Sequence, residues 1–137
     1  MENFQDAAQR HWHDAEMLLN DPAPQLGHIR LANASHLYGV AAECALKAIL
    51  HRWVPSRPKR GHMPAIWGEF ATHANTAKHG LSALLTSTTN PFSGWNIGDR
   101  YLSRSDMRFN QEAVRTHRQA ALSARAVLEH AVVNGII

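Results

Sequence analysis

Cysteine is all but absent. The single Cys44 excludes an intrachain disulfide and any multi-thiolate zinc site within one chain. Long apolar runs are missing too, and none approaches the ~20 residues that a membrane-spanning helix requires. The opening stretch MENFQDAAQRHWHDAEM has no basic-then-apolar layout of a secretion signal. A cytoplasmic, reducing compartment is the expectation, with no membrane partner. There is no phosphate-cradling Gly-rich loop, no dinucleotide fingerprint, no alternating strand pattern and no internal repeat. Charge is sparse at 18% against 45% hydrophobic residues, a balance too apolar for a disordered chain. The 14 basic and 11 acidic residues leave a net charge of only +3. That bias permits contact with RNA, nucleotides or acidic partners without demanding it.

What remains is helical periodicity. A chain of 137 residues fits one domain over 1–137. The first helix is expected from Asn3 to Asn20, with Phe4, Ala8, His11, Ala15 and Leu18 on one face and Asp21-Pro22 and Pro24 ending it. The second runs from His28 to Trp53 and stops at Val54-Pro55, since proline cannot continue the hydrogen-bond ladder. A third spans Pro64 to His79, with Ile66, Phe70, Ala74 and Ala77 inward and Gly80 as its stop. Leu81 to Leu85 read as a short turn or helix. The last begins between Asp106 and Asn110 and follows Ala113, His117, Ala120, Ala124, Val127, Leu128 and Ala131 to Gly135. Before it lies TSTTNPFSGWNIGDRYLSRSD, an irregular stretch long enough to point to function. The expected fold is all-α, an up-and-down four-helix bundle with a long irregular segment before the last helix.

The second helix poses the chemical question. Its run AAECALKAIL is apolar except for Glu43 and Lys47. At helical pitch His36, Val40, Glu43 and Lys47 fall within about 60° of one another, a polar line on an otherwise apolar rod. One reading is an exposed i,i+4 pair worth ~0.2–0.5 kcal/mol. The other turns the line toward a groove or a second subunit. There the charges must pair, because an unpaired buried charge costs several kcal/mol.

Other constellations carry weaker chemistry. The loop HRWVPSRPKRGH gathers Arg52, Arg57, Lys59 and Arg60 beside Trp53, either as a solvated basic loop or as a phosphate patch with a stacking indole. In GWNIGDRY, Trp95, Arg100 and Tyr101 form a stacking and hydrogen-bonding set for a base, unless Trp95 only plugs the bundle end. Glu69 and His73, and His11 and Asp14, have helical spacing for a metal, but Glu-x-x-His repeats are absent. Structural histidines are expected instead, with His11 and His117 meeting across the core near a carboxylate such as Asp14. Cys44 lies in a packed helix without an activating base, which describes an inert thiol.

The run HLYGVAAECALKAIL, from His36 to Leu50, resembles the second helix of HEPN domains, whose small-residue stretch leads into Glu, three residues and Lys. RHWHDAEMLL resembles their first helix, and Gly61-His62 resembles the His that opens their third. The resemblance implies a bundle that pairs as a homodimer and binds RNA or nucleotide through Glu43, Lys47, His62, Arg100, Tyr101 and Arg104. It implies no cofactor or metal, and a place in a stress, defence or toxin–antitoxin system. Nuclease members carry Arg, four to six residues, then His near the start of the last helix. This chain reads RYLSRSD there, and the literal Arg–His match Arg57 to His62 sits between the second and third helices. The catalytic residues therefore stay unassigned. A non-catalytic module partnering a nucleotidyltransferase, or a metal-independent ribonuclease with a non-standard Arg/His pair, remain alternatives.

Overall fold

A computed structural model of the chain describes residues 2–20, 27–58, 60–76, 80–81, 85, 89–102 and 109–137. Among them are four α-helices, α1 (Phe4–Asn20), α2 (Gly27–Trp53), α3 (Ala65–Thr76) and α4 (Gln111–Val133), a 3-10 turn (Ile97–Tyr101), and no strand. None of the described helices is long and apolar enough to cross a membrane.

The hub is α2. It packs extensively against α1 and α4, while α3 and the 3-10 turn also lean on it and α1 and α4 barely meet. From Ala41 to Leu50 every residue except Ala48 is buried. Tyr38, Leu46, Ile49 and Leu50 lose all solvent contact, each worth about 1.5–3 kcal/mol. The line of Glu43 and Lys47, which the sequence left open to solvent, a groove or a second subunit, is thus covered within the chain.

Helix α1 buries Ala8 and Ala15 as expected, but Trp12 takes the inward place expected of His11. Ala8, Trp12 and Ala15 are buried, whereas His11 is only half-buried. The cause is size: Trp12 has the most apolar surface to hide, and its ring settles 5.4 Å from that of Tyr38. Asn3 caps the helix by accepting from the Asp6 N–H at 3.0 Å.

Helix α3 buries Ile66, Phe70 and Ala74 as periodicity required, and Trp67 as well. Its expected continuation to His79 lies outside the described residues. Helix α4 begins where Asn110, in extended conformation, accepts from Ala113 N, satisfying one of the open N–H groups of the first turn. It ends at Gly135, whose φ of +68° lets Ile136 N–H reach back to Ala131 O at 2.8 Å. A left-handed residue closes a helix this way at least cost when it lacks a side chain.

The described part of the irregular segment, 89–102, is packed rather than loose. Asn90 accepts from Phe92 N–H and donates to Pro64 O at 2.7 Å, tying the segment to the start of α3. Phe92 and Trp95 are buried. Trp95 reaches α2 only because residue 39 is glycine, where a Cβ would sit 2.2 Å from the indole Cε2. Its Nε1–H donates to Ser35 O at 3.1 Å.

Candidate functional site

Glu43 and Lys47 meet at 2.7 Å with 6% of each side chain exposed. The exposed-pair reading is therefore replaced by a buried one. Burial forces every lone pair of the carboxylate to find a donor, and the donors are on the page. Lys47 Nζ donates to Oε1, His62 Nδ1 lies 3.1 Å and 3.2 Å from the two oxygens, and Met63 N–H donates to Oε2 at 3.2 Å. Lys47 Nζ also sits 5.7 Å from the Phe4 ring centroid, a favourable place for a cation. The pair holds the approach to α3 against α2. Gly61 makes that approach feasible, since its φ of +112° is costly for any residue with a Cβ. Both charges are held beneath the surface.

His62 differs from them. Its side chain is 51% exposed while Nδ1 is committed to Glu43, so Nε2 is the nitrogen left for another molecule. A carboxylate behind an imidazole fixes ring orientation and favours a proton on the near nitrogen. Around it the basic loop is only partly available. Arg57 forms a two-point fork with Glu69, Nε to Oε1 and Nη2 to Oε2 at 2.7 Å, and also donates to Pro58 O. The hydrogen bonds from Arg57 hold the Glu69 carboxyl below the usual range. Trp53 stacks on Phe70, ring centroids 5.6 Å apart. Two parts of the expected phosphate patch are thus occupied inside the protein, leaving Arg52 and Arg60 exposed; Lys59 lies outside the described residues. The Glu69–His73 metal pairing loses its carboxylate in the same way. No group of three metal-ligating side chains occurs among the described residues.

Further along the polar line, His36 stacks on Trp95 at 5.5 Å. Burial pushes its pKa down, Arg100 pushes it further, and Asp99 and Glu43 oppose them. His11 is also lowered, by burial and then Arg10, against Asp14 and Glu43. Two half-buried imidazoles thus flank Glu43, each with a buried Nδ1 that has no hydrogen-bond partner among the described residues.

The same line leads to Arg100 and Tyr101, which project from the 3-10 turn. That turn is rigidly built: Asn96 accepts from Gly98 N–H at 2.7 Å, and Asp99 accepts from Asn96 N–H at 3.0 Å, with Asp99 itself buried. Tyr101 is 79% exposed. Arg100 stacks over its ring at 4.7 Å and donates to its hydroxyl at 3.0 Å. Arg104 falls outside the described residues.

The expected meeting of His11 and His117 does not occur. His117 shares a hydrogen bond with Ser35 Oγ and stacks on Phe92 at 5.3 Å. Burial lowers its pKa to about 4, against a smaller opposing pull from Asp99. Asp14 is exposed. Helical spacing shows which residues share a face, but not that a serine on another helix meets a histidine. Also unforeseen was Glu16, which accepts from Tyr38 OH at 2.6 Å and from Arg118 Nε at 2.7 Å, joining α1, α2 and α4. The hydrogen bond from Arg118 is the main reason its carboxyl lies below the usual range. Cys44 is buried, and burial pushes its thiol up to about 11.

Comparison with protein-family models, with curated proteins and with solved structures finds no match for the chain.

Proposed function

We propose that this chain is an RNA- or nucleotide-binding helical domain of the HEPN-like kind, acting in a stress, defence or toxin–antitoxin setting. The observation that carries the binding reading is the exposed Arg100–Tyr101 pair on a pinned turn. One ring face is covered by a guanidinium and the other is open for a base, while the cation serves a phosphate. His62 adds a hydrogen-bonding nitrogen. Glu43 and Lys47 act behind it, as the clamp that holds it in place. Base stacking on an aromatic ring is worth about 1–3 kcal/mol, so Tyr101→Ala should weaken binding of a single-stranded RNA or a mononucleotide about tenfold. Fluorescence anisotropy at low salt measures this. Equal affinity of wild type, Tyr101→Ala and Arg100→Ala rejects the reading.

A second reading, a protein-interaction module, has its own observation. A groove of about 190 Å³ between α1, α2 and α4 is floored by Ala8, Ala41, Ala45 and Ala121 and edged by Val132 and Val133. Val133 is 82% exposed. Arg125 and Glu129 also line it, 3.4 Å apart. A rim carrying both signs complements itself under two-fold symmetry, so the occupant argued for is a second copy of this chain. Light scattering on wild type and Val133→Glu tests this. A dimer that the variant dissociates supports it, and a monomeric wild type overturns it and leaves the groove to another protein, such as a nucleotidyltransferase.

A further inference from the structure

A different cavity, of about 300 Å³, lies where the end of α1, the start of α2 and the first turns of α4 converge. Its floor is aliphatic: Leu18, Leu19, Leu31 and Val114. No aromatic ring lines it among the described residues, so that lining offers no ring for a base to stack on. Its charged lining residues are Arg30, Arg115 and Arg118, and no acidic residue lines it among the described residues. Glu16 lies behind Arg118 and takes its Nε and Nη2, so that fork is occupied inside the protein. Arg115 is exposed and has no ion-pair partner among the described residues.

An aliphatic floor beside an exposed guanidinium selects a ligand with the complementary halves. The volume lies at the lower end of small-molecule sites. A guanidinium fork matches the planar carboxylate group in particular. We propose that this cavity binds a small aliphatic carboxylate, with its chain on Leu18, Leu19, Leu31 and Val114 and its head at Arg115. The inference is independent of the RNA reading, which rests on residues of the 3-10 turn.

The test is calorimetric titration of the full chain with octanoate, with octan-1-ol (the same chain without charge) and with inorganic phosphate (charge without a chain). Methyl chemical shifts of the three leucines report the location. The expected result is saturable octanoate binding, at least about tenfold tighter than octan-1-ol or phosphate, with shifts at those leucines. Arg115→Ala should weaken it about tenfold and Arg115→Lys less. Because Arg115 is exposed, both variants keep the fold, which circular dichroism checks. Equal binding of octanoate and octan-1-ol, absence of saturable octanoate binding, shifts elsewhere, or an unchanged Arg115→Ala each overturns the proposal.

Discussion

Glu43→Gln removes one negative charge from a site where the side chains are 6% exposed, while keeping the shape of the residue. The amide oxygen can still accept from Met63 N–H, but Lys47 is left as a buried ammonium without its counter-charge. Removing one partner of such a pair costs about 3–5 kcal/mol, against ~0.2–0.5 kcal/mol for an exposed helix pair. Lys47→Met should cost less than Glu43→Gln, because Glu43 keeps His62 and the Met63 amide. The double variant Glu43→Gln/Lys47→Met buries no charge from this pair and should be more stable than Glu43→Gln alone. The resulting coupling is about 2 kcal/mol, within the range for residues in direct contact. Urea unfolding followed by far-ultraviolet circular dichroism gives the four free energies, provided the slopes agree. A Glu43→Gln loss below about 1 kcal/mol, or additivity of the two substitutions within about 0.5 kcal/mol, refutes the buried-clamp reasoning.

His117 makes stability depend on acid. Its folded-state pKa of about 4 lies below the ordinary 6.5, so the unfolded chain binds the proton more tightly. Stability should be full above pH 6.5 and fall toward pH 4 by about 3 kcal/mol from this residue, with His11 and His36 adding in the same direction. His117→Gln should flatten part of that slope in urea midpoints measured across pH; an unchanged slope counts against the assignment. Gly39→Ala drives a methyl into the Trp95 indole and should cost about 1–3 kcal/mol, read as a lower urea midpoint; an unshifted midpoint means the indole does not sit there. Cys44, with its thiol raised to about 11, should react with iodoacetamide at pH 8 only as fast as the chain opens, so labelling that ignores urea concentration contradicts its burial.

Helix positions were legible wherever the signal was local. Val54-Pro55, Asn110 and Gly135 act on the backbone beside them, so the ends of α2 and α4 can be read directly. The strength of α2 as a hub also showed, because a helix apolar nearly all round must be covered. Contacts between distant elements did not show. Nothing beside Glu43 announces that His62 and Met63 N–H will complete its carboxylate, nor beside Arg57 that Glu69 will take its guanidinium. The stretch 89–102 looked irregular because its order comes from Phe92 and Trp95 inserting into the helices and from Asn side chains holding turns, neither of which has a period. Arg100 and Tyr101 were picked out by residue type, and their mutual stacking depends on a turn shape that composition does not encode.

The shared carboxylate of Glu43 also bears on how the polypeptide can be divided. A fragment ending at Trp53 would contain α1, α2 and the acid–base pair, yet lack two of the three donors to Glu43, those at positions 62 and 63. It would also expose the side of α2 that α3 shields. Co-expressed halves cut between 54 and 60 should therefore reassociate, each supplying what the other leaves unsatisfied, while the leading half by itself should aggregate.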